Sequence, residues 1–196
     1  MDTTSNIALR SRPIRSASAK ASQTPIIEMP STMLLQILAA CPEPAGPQRT
    51  IFLPIAARNG PAGSGQAAKI CNNMVLGISM IGVCEAFALA DRMGLDRKAM
   101  FDVVSTSSGS CWSINTYCPV PGVGPQSPAD NDYAPGFAAA LMLKDLRLAR
   151  EAATSTGART PLGSHAAEIY EAFVAEGHGG KDFSAVILAL SGGAKS

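Results

Sequence analysis

Lys69, Asn72 and Asn73 stand at i, i+3 and i+4, directly behind the glycine turn Gly60-Pro-Ala-Gly63-Ser-Gly65. A helix beginning after that turn carries all three on one face of its first turns. Glycines let a ligand approach the backbone closely. The amide end of a helix attracts anions. An amine and two amides beside such an end suit a small carboxylate that also carries a hydroxyl or carbonyl. Lys69 is then placed for proton transfer. The bland alternative is a glycine loop and a polar helix start without chemistry. A second pair, Lys144 and Asp145, follows Phe137 by two helical turns. On pattern alone these are solvated charges on a helix face.

One competing motif is set aside. Gly63-Ser-Gly65-Gln-Ala-Ala68 fits the G-x-G-x-x-A dinucleotide fingerprint, with Glu85 about 20 residues on. That motif needs a strand before it and a second strand ending near the acid. Here the helical pattern runs past Glu85.

The elements that must position these residues are helices. There is no proline from Ala62 to Cys118, and after Pro135 there is only Pro161. Proline breaks helix interiors, so these two blocks form the helical body. A long helix is predicted from about Gln66 to about Met93, ended by Gly94. It is apolar nearly all round, which predicts burial on most sides. Gly77 and Gly82 weaken it by about 1 kcal/mol each relative to alanine, which suits close approach of another helix. Asp96 caps a helix from Arg97 to about Val104. A short helix follows near Ser110–Tyr117. Phe137–Ser155 reads as amphipathic, with Phe137, Leu141 and Leu148 in register, and Gly157 ends it. Pro161 opens a helix to about Glu176. Asp182 caps a last one, Phe183–Leu190. The expected class is all-α, on one long central helix, over residues 60–196.

Composition narrows the partners. The 16 basic and 15 acidic residues leave a net charge of +1, without the basic excess that would neutralise phosphates of a nucleic acid. Charged residues make up 16% against 46% hydrophobic, so some apolar surface should be covered by another domain or subunit. The charge-free run Ile70–Cys84 is shorter than the roughly 18 residues of a membrane span, so no membrane partner is expected. Five cysteines without C-x-x-C read as free thiols, and two histidines, His165 and His178, as surface and loop residues rather than metal ligands. Trp112 reads as core packing.

Residues 1–59 read as a poorly ordered leader. Arg10, Arg12, Arg15 and Lys20 are basic, and no acid lies between Asp2 and Glu28. This pattern fits a mitochondrial transit peptide or a disordered terminus. Met33–Ala40 could form two helical turns, and Thr50–Ile55 a short edge strand. Gly46 is the one glycine before Gly60, so no G-x-G-x-x-G can be built there.

From Gly60 to about residue 190 the sequence resembles the C-terminal domain of the β-hydroxyacid dehydrogenases, in the 3-hydroxyisobutyrate dehydrogenase branch. The resemblance rests on G-x-x-G-x-G-x-x-x-K-x-x-N at Gly60–Asn72, Met74–Ala90, Ser107–Ser113 with Cys111-Trp112, Tyr117–Gly122, Gly136-Phe137, Lys144-Asp145-Leu146 and Asp182-Phe183-Ser184. It implies the all-α C-terminal fold of the 6-phosphogluconate dehydrogenase-like type. It also implies NAD as cofactor and oxidation of 3-hydroxyisobutyrate to methylmalonate semialdehyde, a mitochondrial step of valine breakdown. Lys69 matches the family's catalytic lysine and Asn72 its substrate-site asparagine, with Asn73 and Gly65 beside the substrate. Lys144 matches a cofactor-contacting lysine, and Phe137 lies in the same cofactor-facing segment. The family's N-terminal Rossmann domain has no counterpart in residues 1–59. The resemblance therefore leaves two readings: a dehydrogenase chain inactive in isolation, or a non-catalytic dimerisation module, pairing as a homo-oligomer through the long apolar helix.

Overall fold

The computed structural model describes residues 64–192. The leader, its two short expected elements, the turn residues Gly60 and Gly63, and Cys41 lie outside the described residues. Among the described residues every regular element is helical, with one isolated antiparallel bridge between Ala138 and Asp182.

Helix α1 runs Ser64–Arg92, α2 Arg97–Thr106, α3 Trp112–Asn115, α4 Ala139–Thr156, α5 Pro161–Phe173 and α6 Ile187–Leu190. Short 3-10 turns cover Pro128–Asn131 and Phe183–Val186, and a π turn covers Val174–His178. The helix ends follow their local signals. Gly94 and Gly157 take φ of +74° and +71°, which only glycine adopts without strain. The Asp96 carboxylate accepts from Ala99 N at 2.9 Å. The expected helix to Glu176 is α-helical to Phe173 and continues as the π turn, in which Gly177 takes φ +91°.

α4 packs against both α1 and α5, and α1 also meets α5 and α6. Met80, Phe87, Met142, Leu146, Tyr170 and Phe183 are among the side chains buried in the centre. Gly77 marks the crossing of α1 and α4, where a methyl would lie 3.1 Å from both Leu146 Cδ2 and Met142 Sδ. Gly82 has no such neighbour within 4 Å, so close packing explains only the first of the two glycines.

Among the described residues, every other α-helix touches α1, but an exposed apolar line remains. The buried residues of α1 are Gly77, Met80, Ile81, Val83, Cys84, Phe87 and Ala90, while Val75, Leu89 and Met93 are 60–72% exposed. The apolar character of the helix thus divides between a core-facing majority and an exposed line. By length and composition α1 is also apolar enough to cross a membrane, a test that core helices of globular bundles pass. Here its core face packs on α4, α5 and α6. Trp112, expected in the core, is 41% exposed.

All three tyrosines of the chain titrate above their ordinary value near 10, burial being the main cause. Tyr133 is pushed up to about 12. A raised folded-state value means that the unfolded chain releases these protons first. The stability is therefore complete below pH 10 and lost as pH climbs through the folded values. Urea denaturation should show a falling midpoint between pH 10 and 12 with little change from pH 8 to 9. A midpoint independent of pH up to 12 would contradict this burial.

Candidate functional site

The first turns of α1 carry Gly65, Lys69, Asn72 and Asn73. The helix already starts at Ser64, so Gly65 is a first-turn helical residue and not the last residue of a loop. No acid occupies that first turn, which leaves its positive end uncompensated by a side-chain charge from the helix itself. Lys69 is half-buried, Asn72 exposed and Asn73 half-buried.

Asn72, Asn73 and Lys144 meet through a residue that pattern reading had placed in solvent. Asn73 Nδ2 donates to Asp145 Oδ2 at 2.6 Å. Asn72 Nδ2 donates to Asn73 Oδ1 at 3.0 Å. Lys144 Nζ lies 3.2 Å from Asp145 Oδ1. Asp145 is only 6% exposed. A carboxylate accepts only, so it fixes which way the Asn73 amide faces, and that amide in turn orients Asn72. The charge of Asp145 is balanced by the lysine next to it, without which its burial would be costly. α1 and α4, far apart in sequence, are thereby joined at the polar end of their contact.

The signal for Asp145 was in the sequence. The buried face of α4 runs through Met142, Asp145, Leu146 and Ala149, at helical spacing. Leu141 and Leu148, which suggested the register, are only half-buried. Reading the face from Met142 instead puts Asp145 inside.

Phe137 lies outside this network and just ahead of α4, not within the helix as expected. It belongs to a cluster built on Asp182, which is fully buried. Asp182 Oδ2 accepts from Gly136 N and Phe137 N at 3.0 Å and from the Tyr117 hydroxyl at 2.9 Å. Asp182 Oδ1 accepts from Ser184 N at 3.0 Å and Ser184 Oγ at 2.7 Å. The expected cap thus also fixes the backbone of Phe137. Above it runs an aromatic column. Trp112 stacks on Tyr117 at 4.9 Å, Tyr117 on Phe183 at 5.4 Å, and Phe137 meets Phe183 edge-on at 5.7 Å. Nothing in the local pattern around Trp112 or Tyr117 announced this column, because its members come from three separate segments.

The column is tight. A methyl at Gly136 would sit 2.6 Å from the Tyr117 hydroxyl oxygen. That oxygen ends a rigid ring held by Asp182 and cannot yield cheaply. Gly136→Ala should therefore cost about 1–3 kcal/mol and disturb the stacking of Trp112, the chain's single tryptophan. Chemical denaturation and tryptophan fluorescence read both. Unchanged values in both would show that Tyr117 moves freely.

Comparison with known proteins bears on what these residues do. The profile described as "NAD-binding of NADP-dependent 3-hydroxyisobutyrate dehydrogenase" matches residues 63–190. A probable 3-hydroxyisobutyrate dehydrogenase of Mycobacterium bovis is 56% identical over 131 residues, covering 67% of this chain and 44% of that protein. The human mitochondrial 3-hydroxyisobutyrate dehydrogenase is 54% identical over 131 residues, 67% of this chain and 39% of its own length. The solved Mycobacterium tuberculosis 3-hydroxyisobutyrate dehydrogenase with L-serine is similar at a TM-score of 0.65 and 56% identity, covering 67% of this chain and 45% of that one. The chain spans less than half the length of these curated relatives.

Proposed function

The chain belongs to the 3-hydroxyisobutyrate dehydrogenase family, and we propose that it carries the catalytic half of an NAD-dependent oxidation of 3-hydroxyisobutyrate to methylmalonate semialdehyde, a step of valine breakdown. One observation carries the reading: the polar end of α1 is tied through buried Asp145 to Lys144 on α4. Preorganised polar groups of this kind act without the cost of ordering them at the moment of reaction.

The division of labour is as follows. Asn72, oriented by Asn73, holds the substrate carboxylate or hydroxyl near the amide end of α1, with Gly65 keeping that approach open. Lys69 accepts the hydroxyl proton, directly or by relay, as the carbinol carbon is oxidised. Lys144 and Phe137 hold the nicotinamide cofactor, which when bound supplies the hydride acceptor. The residues fit that role because a carboxylate holds the amine and Asp182 fixes the backbone of Phe137. Substrates should share a terminal CH2OH bonded to the carbon that bears the carboxylate. L-serine, present with the M. tuberculosis relative, has the same arrangement.

The part of the sequence before Gly60 contains no G-x-G-x-x-G, so we propose that the leader 1–59 does not replace a dinucleotide-binding domain. The isolated chain then binds NAD weakly and turns over little. NADH formation with 3-hydroxyisobutyrate and calorimetric titration with NAD test this together. Saturable, tight NAD binding by the isolated chain would overturn the assignment of the leader. The basic start of the chain supports a mitochondrial address, which the animal relatives carry in their names and the bacterial ones do not.

The open face of α1 favours a second role, pairing with another copy. Val75, Gly82 and Leu89 repeat every seven residues and are exposed, giving one charge-free line with a glycine at its middle. Sedimentation should show a dimer that Leu89→Glu dissociates. A monomer at all concentrations would remove this role.

A further inference from the structure

We propose that a cavity between the end of α4 and the start of α5 binds a phosphate-sized oxyanion. The cavity has a volume of about 280 Å³ and is lined by Arg150, Arg159, Thr154, Thr160 and Ser164, with alanine and proline making up the rest. No acidic side chain lines it. Among the described residues, neither arginine has a carboxylate within ion-pair distance. Glu171, which feels the charge of Arg150, is engaged by Arg147.

Two guanidinium groups around one cavity repel each other, and an anion between them reverses the sign of that interaction. Guanidinium forks match the oxygens of a phosphate in pairs, which ammonium groups cannot do. The hydroxyls of Thr160 and Ser164 add neutral donors, while that of Thr154 already donates to Arg150 O at 2.9 Å. The helix that begins here brings its positive end, where Thr160 makes no side-chain cap bond, although Pro161 contributes no N–H donor. The opposing end of α4 is muted, since the Ala153 carbonyl already accepts from Gly157 N and Ala158 N. The size of the cavity lies just below the roughly 300 Å³ at which pockets for drug-sized ligands begin. It has room for inorganic phosphate or the phosphate of a small monoester. This site does not depend on the dehydrogenase reading, because none of its residues belongs to the Asp145 or Asp182 clusters.

Calorimetric titration of the whole chain at fixed ionic strength, with inorganic phosphate and with methyl phosphate, tests the proposal. The expected result is saturable one-site binding with a Kd of about 1 mM or tighter. Arg150→Gln and Arg159→Gln should each weaken it at least about tenfold. Arg159→Lys keeps the charge but loses the fork, and should fall between. Tighter binding of methyl phosphate would assign the site to monoesters, and tighter binding of phosphate to the free ion. Absence of saturation by about 20 mM overturns the proposal. So does binding that survives both glutamine variants unweakened, since the anion would then sit elsewhere.

Discussion

Asp182→Ala should remove about 4 kcal/mol of stability, a large share of what a domain of this size has in total. The residue is fully buried and its two oxygens accept five hydrogen bonds. Alanine leaves the amides of Gly136, Phe137 and Ser184 and the hydroxyls of Tyr117 and Ser184 competing for whatever water can enter. Each buried donor left unsatisfied costs about 1–3 kcal/mol, and the losses are not additive. The damage is also topological. Lys181 O accepts from Ala139 N and Phe137 O from Phe183 N, so this carboxylate sits inside the clip that fastens the last turn to the start of α4. The same segment is held from the other side, where Asp182 N donates to Tyr133 O although Tyr133 adopts φ +57°. Asp182→Asn keeps the shape but turns one acceptor into an amide donor facing other donors, and should cost at least about 2 kcal/mol. Urea denaturation of both variants provides the measurement. A loss below about 1 kcal/mol for the alanine variant would mean that the cluster is ornamental.

Lys69→Ala should lower turnover by about 10²–10⁴-fold, the usual contribution of a positioned general base. The suitable host is a chimera in which residues 60–196 follow the N-terminal portion of a full-length relative, so that cofactor binding is supplied. KM should change little if the lysine acts mainly on the proton. Lys69→Arg should be nearly as damaging, because a guanidinium keeps the charge but cannot accept a proton. Full activity in the alanine variant would transfer the proton to another group. An inactive parent chimera, with intact NAD binding, would instead count against the catalytic reading of this half.

The two predictions separate what each cluster is for. The Asp182 cluster holds the fold together and fixes Phe137 as a by-product. The Asp145 cluster gathers Asn72, Asn73 and Lys144. A variant in the first should lose stability before activity, and Lys69→Ala should do the reverse. Such trade-offs are common where polar groups are held against a helix end for function.

Local sequence determined much of this protein. Prolines, cap residues and glycines are short-range signals, so the order of helices from α1 to α6 and the positive-φ ends at Gly94 and Gly157 were legible. The grouping of Lys69, Asn72 and Asn73 was legible for the same reason, since helical spacing alone puts them on one face. What spacing cannot show is which face meets which neighbour. Asp145 looked like a solvated charge until α4 docked on α1 and brought Asn73 to within 2.6 Å of it. Trp112 looked like a core residue, yet it ends an aromatic column assembled from three separate segments and stays 41% exposed. The apolar α1 predicted burial on most sides, and every other α-helix touches it, yet Val75 and Leu89 stay exposed. Hydrophobicity is a property of the chain, but burial is a property of pairs of surfaces, and only the tertiary structure chooses the pairs.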